Sequence, residues 1–586
     1  MAREIAFPKT RHIALSALEQ VEEAKAEGGE AILVPIQVAA KAGQPAAGIP
    51  LPEPTQPGAP GVPEPGSLPA AAAAEGLAAG AAPIAVQAHS LPWMVIADVS
   101  EPVSDADRCR ALDGNPAPVR CASSLEGRKA AGDAAAKAAQ LGEAVLLAGL
   151  DRWYRLGPEG AGFCRSCELA LVEFLRESYG DHLQPFDPLE SLRGSALPPR
   201  ERPFARQKEA LRFSEAVEAA KRAVLRARDE ARRSRSLEMA VLGRVGTLSP
   251  VALELCQHLD GLVFELPSLE PTEALLPLLA ARAALGLRPA VATLPPGATV
   301  PQVRLFAALT AACDTDLLLP QGATIEARSA LAGHRTFLSL VRERFRPSAP
   351  LVDAEILLSP RCDHWTAGAH HRSSAACAAA LARAQLQPVV RLDLAGGTRA
   401  PLLIVAGAAA LPESDASAAR RHVEAGGDLL LLGKSYPADE EGRTGDALFP
   451  EVKSGLDRVG EGRVYALDEA APGAIEPLLA RALRELAGRG RAQVTVTGRG
   501  RLFTRGYLDP ERKLDVHLVN LDERPAQGVQ LTIAGQAAGG GRSGYWFAPE
   551  RDGGRDGERI ALNPSGFSVS TILPSIDAYA LLAVPR

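Results

Sequence analysis

Two carboxylates and a group of cysteines are the residues here whose types and settings suggest chemistry. The first carboxylate closes the run Glu143-Ala-Val-Leu-Leu-Ala-Gly-Leu-Asp151, and Arg152, Trp153 and Tyr154 follow at once. A continuous apolar run of about four to eight residues reads as a buried parallel strand. A carboxylate at the C-terminal end of such a strand sits where open α/β sheets and β/α barrels place their chemistry. Carboxylate, guanidinium and two aromatics together suit a sugar, supplying an acid/base or nucleophile, a hydroxyl donor and an apolar platform. The competing reading has Asp151 capping the next turn or pairing with Arg152 or Arg155. The second carboxylate, Glu265, ends the strand-like Asp260-Gly-Leu-Val-Phe-Glu265 and stands between Phe264 and Leu266. An apolar wall of that kind suits a general acid; the competing reading is a strand-end salt bridge to a neighbouring Arg. Glycoside hydrolysis usually needs two carboxyl groups, about 5 Å apart for retention and wider for inversion. Asp151 as nucleophile and Glu265 as general acid/base is the expected pair.

Gln37, His89, Trp93, Arg152, Trp153 and Arg244 are expected on the same rim, binding hydroxyls or stacking on a ring. His89 is the best placed, since it closes a predicted strand. His364, Trp365, His370 and His371 form a loop group without the spacing of a metal set. Cys164 and Cys167 are spaced as Cys-x-x-Cys, and Cys109 and Cys121 complete a set for a structural, tetrahedral zinc site of four thiolates. Four reduced thiols is the alternative, because the Cys109 to Cys121 spacing matches no standard ribbon. Catalysis as read here requires no cofactor.

These residues need a scaffold, and strand-helix alternation supplies one. Predicted strands fall at residues 3–7, 31–37, 82–89, 143–150, 237–243, 260–267, 288–294 and 314–320. Predicted helices fill the intervals, including His12 to Gly28, 68–80, 126–141 and the long charged 204–235. Residues 41–66, dense in Pro and Gly, read as a long loop. Eight such units mean a parallel sheet and fit a (β/α)8 TIM-type barrel over residues 1–348, with an open doubly wound sheet as the runner-up. In a barrel the fourth and sixth strands are next-but-one neighbours, so Asp151 and Glu265 can converge. Residues 349–488 repeat the alternation on a smaller, flavodoxin-like scale. From residue 489 short alternating strands and turn residues describe an antiparallel β-sandwich.

The chain has 586 residues, 46% of them hydrophobic and 23% charged, with a net charge of −6. That composition is globular, and with no basic stripe it argues against nucleic acid. No apolar run reaches the length of a membrane span, and Met1-Ala-Arg-Glu-Ile-Ala-Phe-Pro8 lacks a signal-peptide layout, so the chain as written reads as cytoplasmic, or as secreted if a signal was removed. Eight Cys in so long a chain is no disulfide framework. Aromatics are only 4%, low for a carbohydrate enzyme.

The three-part order resembles the beta-galactosidases that carry a trimerisation domain, and their glycosyl-hydrolase relatives. Gly149-Leu-Asp-Arg-Trp-Tyr154, Gly162-Phe-Cys-Arg-Ser-Cys167 and Phe174-Leu-Arg-Glu-Ser-Tyr-Gly180 look like the mid-barrel stretch of that group. Pro401-Leu-Leu-Ile-Val-Ala-Gly407 with Arg421-His-Val-Glu-Ala-Gly-Gly427 is similar to its middle domain, and Leu514-Asp-Val-His-Leu-Val-Asn520 to its terminal sandwich. The resemblance implies a carbohydrate substrate, a homo-oligomer, most simply a trimer, and zinc near the cysteine loop, as in some members. Barrel glycosidases acting on α-galactosides and α-fucosides are similar in using strands four and six. One departure matters. Those beta-galactosidases place an Asn-Glu acid after strand four and a Glu nucleophile after strand seven; here strand four ends in Asp151 and strand seven in Ala292-Thr-Leu294. The alternative function is therefore an inactive glycosidase-like barrel serving as a carbohydrate-binding or assembly scaffold.

Overall fold

The structure, a computed structural model, describes residues 12–14, 31–34 and 93–585, the last range without 103–104, 106–107, 142–143, 156–159, 181–187, 194–203, 236–238, 321, 343–348, 367, 434, 439–443, 453–454, 468–481, 484–491, 509–512 and 550–556. The elements expected at 3–7, 41–66, 68–80 and 82–89 lie outside the described residues. The chain folds as two compact units, one of residues 1–265 with 287–291, the other of 266–286 with 292–586.

An eight-stranded sheet runs in the order β1 (His12–Ala14), β2 (Ala31–Val34), β3 (Trp93–Asp98), β4 (Ala144–Ala148), β5 (Ala240–Arg244), β6 (Gly261–Glu265), β7 (Ala290–Thr293), β8 (Asp316–Leu318). Every pairing from β1 through β6 is parallel. Strands β4 to β6 are buried at nearly every position, because apolar Val and Leu runs can only be covered on both faces. Two expectations change. His12–Ala14 is not the start of a helix: it pairs in parallel with Ala31–Leu33, and that tertiary pairing overrides a local helical period. The third strand of the described sheet is Trp93–Asp98, whose apolar run docks between β2 and β4 and was not expected as a strand.

Helix α1 (Leu125–Leu141) starts at Ser124, whose Oγ accepts from Gly127 N at 2.8 Å, a normal N-cap. It packs along α3 (Ala205–Arg235). Both helices present fully buried alanines, among them Ala131, Ala135, Ala138, Ala220, Ala223 and Ala227, so the backbones approach closely. A pair at 2.7 Å between Arg128 and Glu215 closes one end of the contact. Helix α2 (Arg165–Tyr179) carries the Cys-x-x-Cys pair at its start.

In the second unit, α4 (Val300–Ala312) begins in a full capping box of Thr299 and Gln302, and α5 (Ile325–Arg342) packs against it. A six-stranded sheet follows: β9 (Ala354–Leu357), β10 (Pro388–Arg391), β11 (Leu402–Ala406), β12 (Asp428–Leu432), β13 (Gly455–Val459) and β14 (Gly462–Leu467). Its order is β10-β9-β11-β12-β14-β13, parallel except for the β13–β14 hairpin. The parallel part has the flavodoxin-like order 2-1-3-4-5. His370, from the expected His/Trp loop group, is buried in this sheet's structure: its Nε2 accepts from Ser359 N at 3.1 Å and its Nδ1 lies 2.7 Å from Ala406 O.

Two antiparallel sheets complete the chain. The strands are β15 (Val494–Arg499), β16 (Leu502–Leu508), β17 (Leu514–Asn520), β18 (Gln527–Ala534), β19 (Ser543–Phe547), β20 (Glu558–Ala561), β21 (Asn563–Ser565), β22 (Ser568–Ile572) and β23 (Tyr579–Val584). One sheet orders a short strand, Ala349–Pro350, then β16-β17-β23-β19-β20; the other orders β15-β18-β22-β21. Alternate residues of both, such as Val516, Leu518 and Leu582 facing Val494, Leu531 and Ile533, form one apolar core, which makes the pair a sandwich.

Candidate functional site

Strand register sets the level of each side chain at the C-terminal end of the parallel sheet. Asp98 of β3 pairs with Ala148, Ala148 with Arg244 of β5, and Arg244 with Val263 of β6. Asp151 lies three residues beyond that row and Glu265 two residues beyond it. The sequence reading passes over Asp98, although its signal is the one that marks Asp151: an apolar strand stopping at a carboxylate.

Asp98 is bonded at both carboxylate oxygens. One carboxylate oxygen, Oδ1, accepts from Ser100 N at 2.9 Å, Ser100 Oγ at 2.8 Å and Glu101 N at 3.1 Å. Oδ2 accepts from Arg152 Nη1 at 3.1 Å. Arg152, expected to bind hydroxyls or pair with Asp151, is therefore held across the rim by Asp98. Gly149 makes this possible. Its φ is +77°, and a Cβ there would lie 2.3 Å from Ser100 Oγ and 2.5 Å from Asp98 Oδ1, so no other residue fits.

Asp151 is buried, and its carbonyl accepts from Tyr154 N at 3.0 Å in the turn that starts helix Arg152–Arg155. Trp153 corrects an expectation: it is only 5% exposed, and so offers no face to a sugar ring. The short helix turns it inward, and Arg212 Nη2 of α3 holds its carbonyl at 3.1 Å. Glu265 corrects another. It is exposed, whereas Phe264 and Leu266 are buried. Neighbours in a strand point to opposite faces, so the flanking apolar residues do not wall the carboxylate. Its backbone N donates to Gly246 O at 2.7 Å. Arg244 is exposed at the end of β5. Trp93 opens β3 and so stands at the end of the strand opposite to Asp98, away from the rim on which it was expected. Gln37 and His89 lie outside the described residues. Strand β7 ends in Thr293, followed by Leu294 and Pro295, with no carboxylate.

The four cysteines do converge. Strands Arg108–Arg110 and Pro116–Arg120 form a hairpin that brings up Cys109 and Cys121; the first turn of α2 brings Cys164 and Cys167. Sulfur separations are 3.3 Å for Cys121–Cys164, 3.4 Å for Cys164–Cys167, 3.5 Å for Cys121–Cys167 and 3.7 Å for Cys109–Cys167. All four atoms lie within 4.8 Å of one another. A zinc ion with bonds of about 2.3 Å in a tetrahedron needs sulfurs about 3.8 Å apart, so the cluster fits a tetrathiolate ion with small adjustments. Hydrogen bonds from Cys121, Cys164 and Cys167, helped by Gly162 N at 3.0 Å, hold the Cys109 thiol far below its ordinary pKa. The same network, Cys109 first, and then burial push Cys167 well above it. Cys164 also lies below its ordinary value: its hydrogen bond with Cys109 opposes this, and those with Cys121 and Cys167 together outweigh it, while Cys121 is raised. A cation would be needed to hold all four as thiolates.

The cluster is tied to the rim. Arg120, one residue before Cys121, donates its backbone N to Ser100 O at 2.9 Å and Nη1 to Val99 O at 3.3 Å, in the loop after Asp98. Lys208 of α3 donates to Ala161 O at 3.2 Å and lies 3.8 Å over the Phe163 ring, clamping the loop whose Gly162 contacts Cys109. Nothing in the sequence marks Lys208, one cation in a long charged helix. Among the described residues no helix is long and apolar enough to cross a membrane.

No protein-family model matches the chain, and no curated protein matches it. Solved structures do share its fold. A beta-galactosidase from Bacillus circulans sp. alkalophilus aligns over 99% of this chain and 99% of its own, with a TM-score of 0.65 at 12% identity. A beta-galactosidase from Rahnella sp. R3 aligns over 99% and 98%, with a TM-score of 0.63 at 11% identity. Alpha-L-fucosidase isoenzyme 2 from Paenibacillus thiaminolyticus aligns over 99% and 100%, with a TM-score of 0.61 at 12% identity. The chain therefore has a glycoside-hydrolase fold of the beta-galactosidase type.

Proposed function

We propose that this chain is a glycoside hydrolase that cleaves a bond in an oligosaccharide or glycan by a retaining, two-carboxylate mechanism. One observation carries the reading. Carboxylates stand just past the end of the fourth strand and at the end of the sixth strand of a parallel sheet, in a chain that shares its fold over nearly full length with proteins named as galactosidases and a fucosidase. Residues 1–348 would close as the (β/α)8 barrel, 349–488 would serve as a flavodoxin-like oligomerisation domain and 489–586 as the sandwich. The assembly would be a homotrimer, and light scattering showing a monomer at micromolar concentration would refute that part.

In this reading Asp151 is the nucleophile. It attacks the anomeric carbon, the glycosidic bond breaks, and a glycosyl-enzyme ester forms. Glu265 protonates the leaving oxygen, then takes a proton from the water that hydrolyses the ester. Arg244, one strand over, would bind sugar hydroxyls. Arg152, anchored by Asp98, would orient the Asp151 turn. The absence of a carboxylate after β7 separates this arrangement from a nucleophile on strand seven. The four cysteines would hold a structural zinc that cross-links the hairpin to α2; its chemistry is only that of a staple, and no step uses it.

A second reading has its own support. Trp153 is buried, Asp151 is buried, and Arg152 is occupied by Asp98, which leaves the rim short of aromatic platform. That favours a non-catalytic, carbohydrate-binding or assembly barrel. A panel of aryl glycosides separates the two. Cleavage of one of them, lost in Asp151→Asn, supports the enzyme; native protein inert across the panel, while still retaining glycans on an affinity column, supports the scaffold.

A further inference from the structure

The eight cysteines of the chain are all free, and they are not equally accessible. Seven are buried; Cys164 alone is half-buried. Oxidants reach a thiol through exposure, and buried single thiols stay inert. Local structure puts Cys164 where it is. It is the N-cap of α2, with extended backbone at φ −85° and ψ 169°, and its side chain caps no backbone N–H of that helix. The sulfur faces the other cysteines instead. It lies 3.3 Å from the Cys121 sulfur and 3.4 Å from that of Cys167. The N-terminal end of a 15-residue helix also favours negative charge at this position.

An accessible thiol backed by buried ones is the arrangement from which a disulfide closes. Cys121 arrives from the hairpin and Cys167 from one turn further along α2, and both are buried. A disulfide needs its sulfurs about 2.05 Å apart, so a closure of about 1.3 Å brings either neighbour into bonding range. Cys256, Cys313, Cys362 and Cys377 are buried and stand outside the cluster, which makes them internal controls.

We propose that Cys164 is an oxidative modification site, at which a hydroperoxide oxidises the sulfur and the product closes a disulfide with Cys121 or Cys167. In the first step the Cys164 thiolate attacks one peroxide oxygen. An S–O bond forms, the O–O bond breaks, and hydroxide leaves and is protonated to water. The sulfur is oxidised to the sulfenic acid as the peroxide is reduced. The neighbouring thiolate then attacks the sulfenic sulfur. The S–S bond forms, the S–O bond breaks, and a second hydroxide leaves as water. Two thiols and one hydrogen peroxide thus give one disulfide and two waters. The inference does not need a bound ion, since metal-free protein carries the same thiols. Where an ion is held, the disulfide removes two of its four ligands, so oxidation and metal binding exclude one another.

The test uses the full chain, as purified and after treatment with a chelator. Each sample is exposed to hydrogen peroxide, alkylated, digested and mapped by mass spectrometry. The expected product joins Cys164 to Cys121 or Cys167, leaves Cys256, Cys313, Cys362 and Cys377 reduced, and returns to thiols in dithiothreitol. Cys164→Ser should slow oxidation of the other three cluster cysteines at least about tenfold, because susceptibility follows exposure and thiolate character. If that variant does not fold, the chelator-treated native chain carries the test: brief labelling with iodoacetamide should mark Cys164 ahead of Cys109, Cys121 and Cys167. Protein that holds no zinc as purified would end the zinc reading, and the disulfide should still form in it. The proposal is overturned if peroxide leaves the cluster reduced, if the disulfide formed omits Cys164, if Cys164→Ser oxidises at the native rate, or if Cys164 labels no faster than its buried neighbours.

Discussion

The cysteine cluster and the carboxylate rim belong to the same unit, and they differ in how they are assembled. Four sulfurs from a hairpin and a helix start meet within 4.8 Å. Four sulfurs so close in a buried site could share one cation, which would let all four be thiolates. The rim is built otherwise. Its groups are spread along strand ends and bound into ordinary structural contacts: Asp98 to Arg152 and Ser100, Arg212 to the Trp153 carbonyl. Convergence makes four cysteines a candidate metal site from geometry alone, whereas a sugar site is identified by what occupies the space between its groups.

The largest effect expected concerns the rim. Asp151→Asn keeps shape and hydrogen bonding, so folding should survive, yet turnover should fall by about a thousandfold or more. Glu265→Gln should spare substrates with good leaving groups in the first step. Kinetics on one activated and one unactivated glycoside check both; unchanged turnover in Asp151→Asn would end the nucleophile assignment.

On the cluster side, Cys167→Ser should abolish bound metal. With free metal a thousand times above its Kd, that loss amounts to about 4 kcal/mol of stability. Metal analysis and urea unfolding measure it, and native protein purified in zinc without bound metal would reduce the cluster to four thiols.

Gly149→Ala probes the link between the two regions. The positive φ and the contacts at 2.3 and 2.5 Å predict a loss, about 1–3 kcal/mol of stability from strain. Melting of the variant at the native Tm would show that the Asp98 loop yields freely.

Lys208 gives a pH test of the cluster. Burial first, then Arg212, lowers its amine from 10.5 to about 8. Between those values the unfolded chain binds a proton that the folded chain does not, so in metal-free protein this residue makes stability rise with pH from 8 to 10.5, by up to about 1.4 kcal/mol per pH unit. Below pH 8 the contribution is flat. The difference in unfolding free energy between native protein and Lys208→Met should follow that window, and metal loading should shrink it, because a dianionic centre favours the charged amine. No pH dependence of that difference would mean that Lys208 is not the buried amine seen beside Phe163. The smallest effect belongs to Arg152→Ala. Its pair with Asp98 is partly exposed, so its loss should cost only about 0.2–1 kcal/mol; a larger drop in Tm would mark the rim as more tightly built than the ion pair indicates.

Sequence alone established the strand-helix alternation, because burial on both faces demands continuous apolar runs at β4, β5 and β6 and leaves polar residues only at their ends. It established the sandwich through period-two alternation, and it grouped the four cysteines by their presence in one stretch. Tertiary structure decided the rest. That Trp93–Asp98 is a strand depended on pairing with β2 and β4, and this pairing put Asp98 on the rim. Whether Trp153 is a platform or part of the packing depended on how one short helix turns toward α3. Whether Glu265 is walled depended on which face of β6 it shares. Each of these is a direction in space, set by contacts with residues far away in the chain, and the local pattern of residue types holds no record of it.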